Sequence, residues 1–439
     1  MSYLPALMFP ALFALIFLGI PVAFSLIAVA GGFGLLVFGD RLPAFLYGKA
    51  LQVAASPVLA AIPLFIVMGS VLERTSIARR LFQVMQVWLG RLPGGLAVAT
   101  ITMCAVFAAA TGIIGAVETV IGMMAIPPML KYAYDKGLIS GTICGGGSLG
   151  TIIPPSVTVI VYGSIAELSI GDLMVGIVIP GAIMVTLFIA YILGRSLWRP
   201  QDARPLPREE TAMPLWPKLK LTITGLFPAL VLIFAVLGSI MFGIASPTEA
   251  AAVGAAGAVI LAVAYRELTP RVAYEALRRS VSISAMVMLI VVGGSMFSGV
   301  FVVAGGRGLI SQVVGALDLS PVGLVAVFLL IVFLLGFVLD WITIVLITLP
   351  IFLAPLKALG VDQVWFAVMM LVVIQTSYLT PPMAPAIFYL RTIAPPEIRY
   401  GHMIRGVVPF VIAQLITLAI VAWWPATATW LPKVLIGFR

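Results

Sequence analysis

Apolar runs fill this chain from end to end. They lie at about 4–20, 22–39, 55–72, 95–130, 139–166, 171–196, 222–244, 247–265, 280–303, 321–356, 362–390 and 404–425. A helix needs roughly 20 apolar residues to cross the ~30 Å hydrocarbon core of a bilayer. Inside that core only a helix or a closed barrel satisfies its own backbone. Of the 439 residues 62% are hydrophobic and 9% charged, whereas a soluble domain carries about 25% charged residues. A soluble, disordered or disulfide-built protein is excluded. The runs predict an all-α polytopic membrane protein with about ten to twelve membrane segments.

The inventory narrows the chemistry. His402 is the one histidine, and Cys104 and Cys144 sit apart in apolar sequence, so neither a zinc site nor a disulfide framework is on offer. Intramembrane catalysis would need a nucleophile with its base, or metal ligands. With no closely paired carboxylates the chain reads as no enzyme and as needing no cofactor. The net charge of +9 is explained by membrane topology and not by nucleic acid. The opening MSYLPALMFP lacks a basic n-region and a small-residue cleavage site, so it reads as a first span.

Four runs are anomalous. Residues 95–130 and 321–356 are too long for one span and too short for two, and each has glycine near its middle, in TGIIGA (111–116) and GFVLD (336–340). Both read as re-entrant hairpins, which are tolerated where protein or water satisfies the turned backbone. Runs 139–166 and 362–390 contain GGGSLGTIIPPS (145–156) and QTSYLTPP (375–382). Their double prolines, Pro154-Pro155 and Pro381-Pro382, each remove two successive amide donors. Both runs are therefore expected to be broken helices with carbonyls exposed at mid-membrane. With the hairpins re-entrant and the charged stretch Arg199 to Lys220 in the cytoplasm, 19 of the Lys and Arg residues fall inside and 6 outside, as the positive-inside rule requires. Both termini come out periplasmic.

The halves match at a near-constant offset. Pro93 meets Pro321 at 228, Pro154-Pro155 meets Pro381-Pro382 at 227, and PVAFSLIAVAG (21–31) meets PTEAAAVGAAG (247–257) at 226. The expected organisation is a first repeat over 1–198, a cytoplasmic linker over 199–220 and a second repeat over 221–439. Each repeat holds about five spans plus one hairpin. Five is odd, so the second repeat is inverted, the arrangement of secondary transporters whose discontinuous helices meet near the midplane.

The stretches AATGIIGAVETVIGMMAIPPMLKYAYDKGLISGTICGGGSLGTIIPPS (109–156), SPTEAAAVGA (246–255), LLGFVLDWITIVLITLPIF (334–352) and VIQTSYLTPPMAPAIFYLRTIAPPEI (373–398) resemble the large membrane subunit, DctM type, of tripartite ATP-independent periplasmic (TRAP) transporters. The resemblance implies an elevator-type, sodium-driven importer of the bacterial inner membrane. It implies a separate small four-helix membrane subunit (DctQ type) and a periplasmic binding protein that delivers a small organic acid. One sodium would lie between the first hairpin tip (Thr111, Gly112) and the first break (Gly150, Ile153, Pro155). A second would lie between Gly336 and the second break (Ser377, Thr380, Met383). The tip Thr111-Gly112-Ile113-Ile114-Gly115 departs from the serine-rich tip of many relatives, which leaves more of the coordination to backbone carbonyls.

No Lys or Arg lies in a predicted membrane centre. An anionic substrate would be met by helix N-termini at the hairpin turns, as at Gly115, by the hydroxyls of Ser148, Ser156, Thr376 and Ser377, and by sodium. Glu118 and Asp340 fall in the hairpins, where a charge costs at least about 2.5–3.5 kcal/mol. For each, a substrate or cation site and a structural role both stay open. Glu249 reads as a helix cap or a packing residue. The basic, amphipathic stretch Arg74 to Trp88 reads as an arm along the interface, either bracing the moving parts or simply solvated. A stand-alone sodium-coupled carboxylate carrier is the alternative function. A channel fits less well than alternating access.

Overall fold

A computed structural model describes residues 3–112 and 115–437. Ile113 and Ile114 of the expected hairpin tip, and both extreme termini, lie outside the described residues. The described chain is helical throughout and has no strand. Most of its long helices are apolar on their outer faces as well as their inner ones. Leu36, Phe234 and Ile260 are exposed on the exterior, as suits a surface solvated by lipid and not by water. Among the described residues seven helical segments are long and apolar enough to cross a bilayer, or eight if Val58–Glu73 and Ile77–Leu89, bent by 64° at their junction, form one span.

The anomalous runs fold as helical pairs. The first hairpin has arms Gly95–Thr111 and Ala116–Lys131, and the second Pro321–Leu335 and Trp341–Ala358. Arms of 15 to 18 residues are about 22–27 Å long, less than the hydrocarbon core. The first tip turns through Gly112 (φ 61°) and Gly115 (φ 87°), a left-handed backbone that glycine adopts without Cβ strain. The broken helices run Lys136–Ser148 then Val157–Ala166, and Gln363–Leu379 then Pro385–Ile393. Both Pro-Pro bonds at the breaks are cis.

The repeat extends to the caps. Asp135 accepts the Leu138 N–H at 2.9 Å and Asp362 accepts the Trp365 N–H at 2.9 Å, each starting its broken helix. Gly95 and Pro321, Lys136 and Gln363, and Val157 and Pro385 begin corresponding helices 226, 227 and 228 residues apart. Packing is reciprocal. The return arm Trp341–Ala358 lies on Val157–Ala166, and the return arm Ala116–Lys131 lies on Pro385–Ile393. Reciprocal contacts of this kind are what a two-fold relation produces. Gln375 Nε2 donates to Ser148 Oγ at 3.0 Å across 227 residues. Two positions that share the offset of the sequence match thus touch each other.

Two readings need revision. The run 280–303 belongs to one 32-residue helix, Pro270–Phe301, whose first turns carry Arg271, Arg278 and Arg279. Hydropathy stops at charge, but helices do not. Helices Leu42–Ala54 and Arg307–Leu317 have too few apolar residues to stand out as spans. Residues 199–220, read as the cytoplasmic linker, pack back on the helices they join. Leu206 N–H donates to Gly90 O at 2.9 Å, Asp135 N–H donates to Asp202 O at 2.8 Å, and Arg195 pairs with Asp135 and Asp202 at 2.9 and 3.0 Å. The hydrogen bond from Lys131, 2.8 Å away, holds the Glu210 carboxyl below its usual range.

The amphipathic arm folds as Ile77–Leu89, with Ile77, Leu81 and Phe82 buried beneath it. Its start is clamped. Glu267 accepts the Ser76 N–H at 2.6 Å and also the Ser76 hydroxyl, Arg74 pairs with Glu275 at 2.8 Å, and the Arg80 guanidinium sits 4.4 Å from the Tyr265 ring centroid. Glu249 is a cap. Its carboxylate accepts the Ser246 N–H at 2.7 Å while Ser246 Oγ accepts the Glu249 N–H at 3.3 Å.

Candidate functional site

A cavity of about 930 Å³ opens where the two hairpin tips and the two broken helices converge. Gly112 and Gly115 line it from the first tip, Gly336 and Asp340 from the second, Thr151 and Val157 from the first break, and Ser377 and Pro385 from the second broken helix. Each tip touches the break of its own repeat. A Cβ placed on Gly112 would stand 3.0 Å from the Pro155 carbonyl oxygen, and one on Gly336 would overlap the Ser377 side chain. Glycine is required at both positions for the tip to approach so closely.

The remaining predicted residues divide. Thr111 is buried beside the first tip with its hydroxyl donating to Phe107 O at 2.9 Å. Gly150 is buried in the turn Leu149–Thr151, and Ile153 is half-buried just beyond it. Thr380 caps Gln363–Leu379 at the second break, and its hydroxyl donates to Thr376 O at 2.7 Å. Met383, in the same break, is exposed. These residues surround the two tips without lining the cavity.

The hydroxyls expected to meet substrate are mostly spent elsewhere. Ser148 is buried and accepts hydrogen bonds from Gln375 and Gln414 at 3.0 and 3.1 Å. Ser156 donates to Thr151 O at 3.0 Å, and Thr376 donates to Val372 O at 2.8 Å. None of the three lines the cavity. Asp340 does, and it also caps the return arm, accepting from Ile342 N–H at 3.1 Å, Thr343 N–H at 3.3 Å and the Thr343 hydroxyl at 2.5 Å. Glu118 is fully buried behind the cavity wall.

Several lining residues escape the sequence reading. Arg279 lines the cavity beside Glu73, 3.5 Å away. It precedes the apolar run 280–303 and groups in sequence with Arg266, Arg271 and Arg278, so hydropathy alone does not bring it to the cavity. Tyr378, Tyr389, Thr119 and Thr151 also line the space. Tyr389 faces the Gly115 turn, where an added Cβ would meet its ring at 2.9 Å. Nothing in the spacing of these four marks them.

An all-helical membrane fold in which two hairpins and two interrupted helices close on one cavity defines a membrane transporter. The comparisons with known proteins agree. The family described as "Tripartite ATP-independent periplasmic transporter, DctM component" matches residues 9–427. The C4-dicarboxylate TRAP transporter large permease protein DctM of Pseudomonas aeruginosa is 30% identical over 413 residues, covering 93% of each chain. The isethionate TRAP transporter permease protein DctMQ of Oleidesulfovibrio alaskensis is 30% identical over 374 residues, covering 84% of this chain and 57% of its own. Among solved structures, the YdaH transporter of Alcanivorax borkumensis superposes with a TM-score of 0.62 at 17% identity, over 89% of this chain and 90% of that one. That last likeness concerns the fold alone. The chain belongs to the DctM family and is the large membrane subunit of a TRAP transporter.

Proposed function

We propose that this subunit drives uptake of a small organic acid with the sodium gradient, taking the substrate from a periplasmic binding protein and carrying it across by an elevator movement. The observation that carries the reading is the single cavity bounded by both tips and both breaks. The hairpins and broken helices form the moving body. Long helices such as Val22–Phe38, Ala61–Glu73, Pro247–Ala264 and Pro270–Phe301, which pack on one another, form the frame.

Sodium takes oxygen ligands, and unwound carbonyls supply them without buried charge. The first sodium site would use Thr111, Gly112, Gly150, Ile153 and Pro155, and the second Gly336, Ser377, Thr380 and Met383. The contacts Gly112–Pro155 and Gly336–Ser377 support both groupings. Arg279 and bound sodium would meet the carboxylate. The relatives' names, C4-dicarboxylate and isethionate, both denote small organic anions. The fused DctMQ relative, matched over only 57% of its length, supports a small membrane subunit as partner. The positive-inside count supports periplasmic termini, in keeping with a home in the bacterial inner membrane.

The test is uptake into proteoliposomes holding this chain and its small subunit, with binding protein and labelled organic acid outside. Accumulation is expected only under an inward sodium gradient and without ATP. Equal uptake with potassium replacing sodium would remove the coupling ion from the proposal. Full uptake by this chain alone would favour a stand-alone carrier.

A further inference from the structure

Glu118 lies one turn into the return arm of the first hairpin and is fully buried. Among the described residues, neither of its carboxylate oxygens makes a hydrogen bond of normal geometry, and neither does the hydroxyl of Tyr378 beside it. The Tyr378 hydroxyl and the N–H groups of Gly115 and Glu118 lie near enough to act on the carboxylate without closing such a bond. The other carboxylates around the site are provided for. Asp340 accepts from two backbone N–H groups and a hydroxyl, and Glu73 faces Arg279.

The neighbours of Glu118 offer no countercharge. Cys104 faces it from the outgoing hairpin arm, Cys144 from the first broken helix, and Tyr378 and Tyr389 from the second. No lysine or arginine acts on it among the described residues. The carboxylate packs directly on Gly147, where an added Cβ would overlap it. An uncompensated buried charge is strongly disfavoured, so the group must acquire a cation. A metal ion would need roughly six oxygen ligands. Here the other side chains acting on the carboxylate are phenols and two cysteine thiols, and the thiols are soft donors. A proton needs only one acceptor, and Tyr378 provides it.

We propose that Glu118 is a proton-binding site, occupied in the arrangement described here and emptied when water from the cavity reaches it past Tyr378. Tyr378 and Tyr389 line the cavity while Glu118 does not, so these phenols stand between the acid and the cavity water, with Tyr378 beside the carboxylate. Proton occupancy thereby becomes a second ionic input, separate from the sodium ligands at the breaks.

The primary test is infrared spectroscopy of the purified full chain with its small subunit, and it does not depend on the transport reading. Wild type is expected to show a protonated carboxylic C=O band at neutral pH that Glu118→Gln loses entirely and Tyr378→Phe shifts. Thermal melting checks that both variants are folded. If Glu118→Gln does not fold, the Tyr378→Phe shift alone decides. Absence of any band assignable to Glu118 from mildly acidic to mildly alkaline pH overturns the proposal. The second readout is uptake at a fixed sodium gradient. Wild-type rates are expected to fall by up to about tenfold per pH unit above the midpoint, the slope of a single proton, and the acid-to-alkaline ratio in Glu118→Gln to approach one. An increase of several-fold in sodium half-saturation for Glu118→Gln would make the carboxylate a sodium ligand and overturn the proton site while leaving sodium-driven transport standing.

Discussion

Asp340 and Thr343 act together. The carboxylate takes the two free N–H groups at the start of Trp341–Ala358 and the Thr343 hydroxyl, which explains how an acid persists inside a hairpin. Removing such a cap costs about 0.5–2 kcal/mol. Asp340→Ala is therefore expected to lower the melting temperature of the purified subunit, and Asp340→Asn, which keeps an acceptor, to lower it less. Equal melting of all three proteins would deny Asp340 its capping role. Thr343 cannot serve as an inert threonine when the second sodium site is tested, because it is tied to Asp340. Thr417 can, since its hydroxyl donates to Ala413 O at 2.9 Å within Tyr400–Trp423. Thr380 donates its proton to Thr376 O and keeps its lone pairs for a cation. Thr380→Val is expected to raise the sodium half-saturation of uptake by roughly five- to a hundredfold, the scale of 1–3 kcal/mol for a lost buried partner, while Thr417→Val leaves it unchanged. Matching sodium curves for the two variants would take the Thr380 hydroxyl out of the site.

At the scale of elements, the tips work because their turns are small enough to reach the breaks. Gly336→Ala would drive a methyl group into Ser377, an overpacking worth typically ~1–3 kcal/mol. Uptake is expected to fall by about five- to a hundredfold on that scale, whereas Gly238→Ala, with nothing within 4 Å, leaves the rate as it is. Comparable losses in both would point to helix propensity and not to the tip contact. These positions were legible in the sequence because glycine and double proline act on the backbone of any chain, whatever surrounds it. The repeat was legible because its anchors are the same residues, and the caps Asp135 and Asp362 extend it. Arg279 was not legible. Its place in the cavity depends on how far Pro270–Phe301 runs before the apolar stretch begins, and hydropathy reports composition and not helix ends. Ser148 and Thr376 look like substrate hydroxyls in sequence because polarity is visible there and its satisfaction by Gln375, Gln414 or Val372 is not.

Across the whole molecule, a second cavity of about 650 Å³ is lined by Lys49, Arg307 and Lys357, with Glu167 as its carboxylate. These are three of the six cations that the positive-inside rule places outside, whereas the first cavity is lined by Arg279 from the inside group. Three helices line both, Val157–Ala166, Trp341–Ala358 and, along most of its length, Pro270–Phe301. Residues up to Ile290 face the first cavity, and residues from Val291 onward face the second. On the second-cavity side of that change the second hairpin's return arm crosses this helix, with Leu346 packed against Gly294. Sliding that arm along a fixed helix would close one cavity and open the other, which is the motion alternating access requires. Met286 and Ser298 line the first and the second cavity respectively, 12 residues apart, or about 18 Å along the axis. Both native cysteines are buried, so an introduced cysteine reports on its own position. A membrane-impermeant thiol reagent is expected to label Met286→Cys in inside-out vesicles and Ser298→Cys in right-side-out ones. Adding sodium, binding protein and substrate is expected to change the two labelling rates in opposite directions. Labelling of both from the same side, or rates that rise and fall together, would mean that the two cavities are not alternating openings of a single path.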